Sequence, residues 1–304
     1  MSSSGTGGNM TVSQRAVVKR LRMIWCEISL ECQLECVHCY ASAGPGRGHG
    51  NMSASEWEDV IRQAASLGAG QVIFIGGEPT LNSDLPRLVR AALGCGLTAE
   101  IYTNLVRVTP ELWELFSAEG VSLATSWYSS DRREHAAITK RDTWRQTRAN
   151  IAEAVGRGIR IRAGVVTGIL PGQLSGDGER ELLSLGVTST GRDVLRQFGR
   201  GTVADPSQAC GSCGRGILAV LPDGSVTPCP MTRWLKAGNV RDGGLGAALD
   251  ALPAVAAVVP VRYGDGCDPD PCDPDGACAP NDNCRPNVFC TPMCSPSLCR
   301  PNIQ

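Results

Sequence analysis

The stretch Cys32-Gln33-Leu34-Glu35-Cys36-Val37-His38-Cys39-Tyr40 decides how this chain is read. Three cysteines fall within eight residues, separated by three and then two positions, directly after the apolar, β-favouring run Met23 to Leu30. A loop at a strand end therefore carries three thiols. Three thiolates so spaced can cap three corners of an iron-sulfur cube, which leaves the fourth iron open to a substrate or cosubstrate. A zinc loop is the competing reading of these residues, and the spacing lacks a fourth nearby ligand for it. Chance spacing in a cysteine-rich chain is the other.

Outward from that loop, residues 20 to about 190 alternate strand and helix signals. Ser53 and Glu56 form a capping-box pattern, and Trp57, Val60, Ile61, Ala64 and Leu67 share one helical face before Gly68 stops the run. Gln71 to Ile75 reads as a short buried strand. Leu85, Leu88, Val89 and Ala92 mark a second helix, and Leu97 to Thr103 a third strand. Thr109 as N-cap with Pro110 behind it opens a helix that Gly120 closes. Val121 to Ser126 follows as a strand, Trp144 to Val155 as a helix, Ile159 to Thr167 as a strand and Glu179 to Leu185 as a helix. A sixth strand is expected near Val187. Such alternation implies an α/β fold with a parallel sheet and helical crossovers, with about six βα units rather than the eight of a closed barrel.

A chain of 304 residues is long enough for a sizeable core in one large domain or two moderate ones. The formal charge of -1 gives no general pointer to nucleic acid or an anionic membrane. Met1 to Gln14 is rich in Ser and Gly without an apolar core, so it reads as a disordered lead and not a signal peptide. The stretch Leu245 to Val261 contains Asp250, Pro253 and Pro260 and falls short of the ~20 apolar residues of a spanning helix. A cytoplasmic chain is expected. Of the 15 cysteines, Cys26, Cys32, Cys36, Cys39 and Cys95 lie early and the other ten lie after residue 209. In a reducing compartment clustered thiols hold metal more often than disulfides.

C-x3-C-x2-C followed by an aromatic residue resembles the cluster loop of the radical S-adenosylmethionine (SAM) enzymes. Phe74-Ile75-Gly76-Gly77-Glu78-Pro79-Thr80 resembles that family's second signature, a strand ending in GGEP. The resemblance implies an open, partial (β/α)6 barrel with its site at the C-terminal strand ends. It implies a 4Fe-4S cluster on Cys32, Cys36 and Cys39 whose open iron chelates SAM, and an electron donor such as a flavodoxin or ferredoxin. One electron then breaks a carbon-sulfur bond of SAM and releases a 5'-deoxyadenosyl radical that takes hydrogen from the substrate. Carried over by position, Tyr40 lies beside the adenine, and Gly76, Gly77 and Glu78 form the strand end that receives the methionyl amine. Ser126 is expected to touch the SAM carboxylate or ribose, and Arg148, on the next helix, to pair with the carboxylate. His38, His49 and His135 are given no role, the latter two reading as residues of polar loops.

Cys213, ten intervening residues, Gly224, four more and Cys229 resemble the opening of the SPASM domain, a C-terminal extension that binds auxiliary iron-sulfur clusters. Pro222-Asp223-Gly224 reads as a hairpin turn that folds Cys229 back towards Cys213, and Gly238-Asn239-Val240-Arg241 resembles a further segment of such domains. The resemblance implies one auxiliary cluster on Cys210, Cys213, Cys229 and Cys294, and a second on Cys278, Cys284, Cys290 and Cys299. The chain departs from the family pattern at Asn281, where a cysteine is expected. Cys26, Cys95, Cys267 and Cys272 are left over, and a zinc-binding tail is the alternative reading of the last segment. The expected organisation is a lead over 1–20, a barrel over 21–200 and a SPASM-like domain over 201–304. The expected activity is modification of a ribosomally made precursor peptide by crosslinking or oxidation. The alternatives are epimerisation or dehydrogenation of a peptide residue or of a small molecule such as an aminoglycoside, with Cys26 or Cys95 as thiol hydrogen donor, and a non-catalytic metal-binding or electron-transfer protein.

Overall fold

The computed structural model describes residues 21–173, 176–200, 202, 205–209, 213 and 215–257. Expectations for Cys210, Cys267, Cys272, Cys278, Cys284, Cys290, Cys294 and Cys299 lie outside them. In chain order the elements are β1 (Met23–Ser29), α1 (Ala54–Ser66), β2 (Gln71–Gly76), α2 (Leu85–Gly94), β3 (Thr98–Tyr102), α3 (Pro110–Phe116), β4 (Val121–Trp127), α4 (Arg132–Thr139), α5 (Trp144–Gly156), β5 (Ile161–Thr167), α6 (Gly176–Ser184), β6 (Ser189–Val194), β7 (Ile217–Val220), β8 (Ser225–Thr227), β9 (Gly238–Asn239) and α7 (Val240–Ala256). The sheet has nine strands in the order β6-β5-β4-β3-β2-β1-β7-β8-β9. Strands β1 to β6 are parallel neighbours joined by helical crossovers, which is the open, partial (β/α)6 barrel expected from the sequence.

The two faces of β1 explain its continuous apolar run. Ile24, Cys26 and Ile28 pack outward with Val72 and Phe74 of β2 and with Trp57, Val60 and Ile61 of α1. Met23 and Trp25 point inward with Ile73 and Ile75. A parallel strand covered on both faces is buried at every position, as β1 is. The helices start where local chemistry favours them. Ser53 and Glu56 complete the capping box of α1, and the Thr109 side chain accepts from the Leu112 amide ahead of α3.

Several boundaries differ from the sequence reading. Helix α3 ends at Phe116, and Gly120 serves the turn into β4 with φ +82°. β4 runs one residue beyond Ser126, and β6 begins at Ser189, after the buried Val187. Helix α4 was not anticipated, because Arg132-Arg133-Glu134-His135 shows no apolar periodicity. It forms because Asp131 caps it, accepting from Glu134 N at 2.8 Å, and because it buries His135, Ile138 and Thr139. His135 is thus a buried helical residue and not part of a polar loop.

β7 pairs in parallel with β1, from Met23 opposite Ile217 to Cys26 opposite Val220. The β7–β8 hairpin therefore extends the barrel sheet, and Leu218, Val220 and Val226 join the same core as Leu88 and Phe74. Leu88→Ala and Leu218→Ala should each lower the unfolding free energy by about 2–5 kcal/mol, the usual cost of emptying a buried leucine site. Both losses should appear in one shared denaturant transition. A separate transition in Leu218→Ala would show that β7 unfolds apart from the sheet.

Candidate functional site

The cysteine loop leaves β1 at its C-terminal end and is fixed by backbone hydrogen bonds on two sides. Cys32 N donates to Gly44 O at 3.3 Å and Gly44 N to Leu30 O at 3.1 Å, closing the loop on itself. Glu35 N donates to Thr139 O at 3.2 Å and Val37 N to Ile138 O at 3.0 Å, so the otherwise unanticipated α4 holds the loop with its last carbonyls. The Glu31 carboxylate accepts from Gly46 N at 2.9 Å and Gly48 N at 2.8 Å, and these amides lower its pKa.

Three donors already point at the sulfurs. Leu34 N lies 3.4 Å from Cys32 Sγ, Ala43 N lies 3.3 Å from Cys39 Sγ, and Asn104 Nδ2 lies 3.7 Å from Cys32 Sγ. Burial, with the charge of the neighbouring cysteines adding to it, pushes the Cys32 and Cys36 thiols up to about 12. The Cys32 and Cys36 thiols thus resist ionising unless positive charge is brought beside them, which is what a metal group does. Among the described residues no three His, Cys, Asp or Glu side chains converge as they would on a single metal ion. Three thiols on one loop, with N–H donors aimed at two of the sulfurs, are a donor set that fits an iron-sulfur group.

The Gly76-Gly77-Glu78 strand end lies directly against this loop. Gly77 N donates to Ser29 O at 2.8 Å and Glu78 N to Glu31 O at 2.9 Å. A Cβ on Gly76 would stand 2.2 Å from Ser29 O, and one on Gly77 would stand 2.4 Å from Glu31 O, so only glycine permits this approach. Glu78 is fully buried, and its carboxylate accepts from Thr80 N, Thr80 Oγ1 and, at 2.7 Å, Asn104 N. Burial raises its pKa against those bonds. Glu78 thus anchors Asn104, whose side chain in turn reaches the Cys32 sulfur. Asn104 is a residue the sequence reading missed, and it has no motif that could have singled it out.

Tyr40 packs against three clusters at once: the cysteine loop, the inner-face cluster that contains Trp25, and the cluster of Phe198 and Ala209, against which Cys213, Met231 and Trp234 also pack. Its hydroxyl is buried without a hydrogen-bond partner. Ser126 hydrogen-bonds Tyr128, whose phenol is raised well above its usual range by burial and by the nearby Cys36. The structure therefore brings Ser126 to the cysteine loop through Tyr128. His38 stands edge-on to Tyr128 with ring centroids 4.9 Å apart, and burial lowers its pKa to about 4. Arg148 is placed elsewhere: it pairs with Glu181 of α6 at 2.8 Å and lies over Trp144. His49 sits by Ser29, with Nδ1 2.8 Å from Ser29 Oγ.

Charged side chains line the inner face of the sheet. Arg162 of β5 pairs with Glu100 of β3 at 2.7 Å and also bonds the Tyr102 hydroxyl. Glu27, on the inner face of β1 and fully buried, pairs with Arg233, and its Oε1 has no partner. The hairpin turn forms, with Gly224 N donating to Leu221 O at 2.9 Å, and the Cys229 thiol is lowered by a hydrogen bond from Cys213. No disulfide joins the described cysteines.

A parallel barrel with a three-cysteine loop and a glycine strand end meeting at its C-terminal mouth defines a class, and the comparisons with known proteins agree with it. Residues 26–185 match the radical SAM superfamily, and the chain belongs to that family. It is similar to the Fe-coproporphyrin III synthase of Methanosarcina barkeri, 35% identical over 104 residues that make up 34% of this chain and 26% of that protein. It is also similar to the PqqA peptide cyclase of Rhodopseudomonas palustris, 38% identical over 85 residues, 28% of this chain and 22% of that one. These matches thus span about a quarter of each curated relative. In fold it resembles Streptococcus suis SuiB bound to the precursor peptide SuiA, with a TM-score of 0.62 at 15% identity over 76% of this chain and 65% of that one. Among the described residues no helix is long and apolar enough to cross a membrane.

Burial raises the Glu27 carboxyl from 4.5 to about 7, outweighing the pull of Arg233. A carboxyl that holds its proton longer in the folded chain than in the unfolded one adds stability below pH 4.5, and that contribution is lost as pH rises through about 7. Glu27→Gln should remove this fall, on the order of 3 kcal/mol between those limits, from denaturant curves taken at a series of pH values. An unchanged pH profile in Glu27→Gln would place the titration elsewhere.

Proposed function

We propose that Cys32, Cys36 and Cys39 hold a 4Fe-4S cluster with one open iron and that the enzyme uses SAM to modify a ribosomally made peptide by oxidation or crosslinking. The observation that carries the reading is the loop itself: three thiols gathered at the C-terminal strand ends, with N–H groups of Leu34, Ala43 and Asn104 aimed at two of the sulfurs. In this family the bound cluster supplies one electron to SAM, and the 5'-deoxyadenosyl radical so released abstracts hydrogen from the substrate. The chain's own residues bind and orient. The Gly76–Gly77 strand end would receive the methionyl amine, and Tyr40 would border the adenine. Ser126, through Tyr128, faces the same side, and Arg148 must leave Glu181 to reach the SAM carboxylate.

The peptide substrate is supported by the PqqA peptide cyclase among the relatives and by the likeness to SuiB with its precursor peptide. The Fe-coproporphyrin III synthase match favours a small-molecule substrate as the second reading. Cys213 and Cys229, already in contact, are proposed to join Cys210 and Cys294 on an auxiliary cluster, with Cys278, Cys284, Cys290 and Cys299 on another. An external electron donor such as a flavodoxin or ferredoxin completes the reaction.

Protein loaded with iron and sulfide under anaerobic conditions should convert SAM to 5'-deoxyadenosine when reduced, and replacing Cys32, Cys36 and Cys39 by Ala should abolish this. The triple variant should keep about eight iron atoms per chain if both auxiliary cubes form. Undiminished 5'-deoxyadenosine in that variant would overturn the assignment of the loop.

With a peptide encoded beside its gene, the enzyme should yield a product lighter by two hydrogens. Cys26 should be dispensable for this, since it is buried in the outer core and burial raises its thiol pKa far above the usual range. Cys95, which ends α2 and is partly buried against the same core, should be dispensable too. A product of unchanged mass carrying solvent deuterium at one carbon, lost on replacing either cysteine, would establish epimerisation instead.

A further inference from the structure

Beyond the segment that matches the family, the chain returns to the cysteine loop at Gly199 and Arg200. Gly199 has φ +83°, and a Cβ there would stand 2.3 Å from Cys39 O and 2.4 Å from Tyr40 Cα, so the turn after β6 lies flat against the third cysteine. Arg200 N donates to Cys39 O at 3.0 Å, and the Arg200 guanidinium donates through Nη2 to Ala43 O. Ala43 is the residue whose own amide points at Cys39 Sγ, at 3.3 Å. Between Cys39 and Ala43 the backbone passes through Ser42 at φ +50°, a left-handed conformation that a non-glycine residue keeps only when its surroundings hold it. Arg200 grips this strained segment at both ends. Its Nε is buried and has no hydrogen-bond partner, and the guanidinium is held against the loop at Ala43 O.

We propose that Arg200 is a positioning residue for the Cys39–Ala43 segment and that its fixed positive charge, held at Ala43 O, raises the reduction potential of the cluster bound in the Cys32–Cys39 loop. This rests on the cluster reading above. A reduced cluster carries one more negative charge than the oxidised one, and a nearby cation with little water around it favours the reduced form. Arginine suits both tasks, since its planar fork can hold a carbonyl while its charge stays on at any working pH. The energy cost of keeping Ser42 left-handed is then met by bonds from a part of the chain more than one hundred and fifty residues away, as the Arg200 to Ala43 separation of 157 shows.

The test is a redox titration of the anaerobically loaded protein, following by electron paramagnetic resonance the signal that changes when SAM is added, so that other clusters do not enter. R200Q keeps a side-chain donor but removes the charge, and R200K keeps the charge without the fork. The expected result is a midpoint lower in R200Q by a factor of about ten in the reduction equilibrium, 59 mV for one electron, with R200K staying near the wild-type value. Loss of the cluster from R200Q with retention in R200K at the wild-type midpoint also supports the proposal. A loaded R200Q with the wild-type midpoint overturns it, as does an R200K that falls as far as R200Q or loses the cluster along with it. A wild-type protein that takes up no iron overturns the cluster reading first, and is distinguished from these outcomes by its iron content alone.

Discussion

The structure depends on the contact between two strand ends. Gly77 N on Ser29 O and Glu78 N on Glu31 O bind the end of β2 to the first turn of the cysteine loop, at the point where the β1–β2 register shifts between Glu27 and Ser29. No side chain fits between them, as the Cβ distances at Gly76 and Gly77 require. Because β1 is flanked by β2 on one side and β7 on the other, this contact lies at the centre of the parallel sheet. The loop is then carried by a rigid frame, and its other sides are closed by the last carbonyls of α4 and by Arg200. A site built this way keeps its geometry because several independent elements have to move before it opens.

Much of this frame was legible in the sequence, for a physical reason. Parallel strands buried on two faces write continuous apolar runs, and their helices write a periodic stripe, so β1, β2, α1 and α2 were found at nearly their observed limits. The two motifs were equally plain as patterns, and the structure sets them side by side, with Gly77 N on Ser29 O and Glu78 N on Glu31 O. Helix α4 was hidden because its polar residues cover one face and its stability comes from a cap and three buried side chains. Asn104 and Arg200 were hidden for another reason. Each acts through a single hydrogen bond or two to a loop far away in sequence, and nothing local marks such a residue. Arg148, also on the helical layer, is paired with Glu181, a contact between α5 and α6 that no local pattern announces.

The inner face of the barrel adds chemistry that composition could not announce. Glu27, Arg233, Glu100, Arg162 and Tyr102 pair between segments distant in the chain, so the inner face of the sheet carries charged and polar groups. The Glu27–Arg233 pair also spans the two cysteine regions, with Glu27 shortly before Cys32 and Arg233 shortly after Cys229. Tyr40 spans them too, through its ring. Buried ion pairs of this kind add little net stability once desolvation is counted. They do fix how the hairpin sits against β1, and so how Cys229 sits relative to the loop.

On the proposed function, SAM binds through the open iron of a cluster in the Cys32–Cys39 loop. Electron-nuclear double resonance on the reduced, loaded protein tests it directly, with SAM labelled by 15N in its amine and 17O in its carboxylate. The account predicts hyperfine coupling of both nuclei to the cluster spin, lost when Cys32, Cys36 and Cys39 are replaced. A cluster signal in the wild-type protein with no coupling to either nucleus, under saturating SAM, would contradict it.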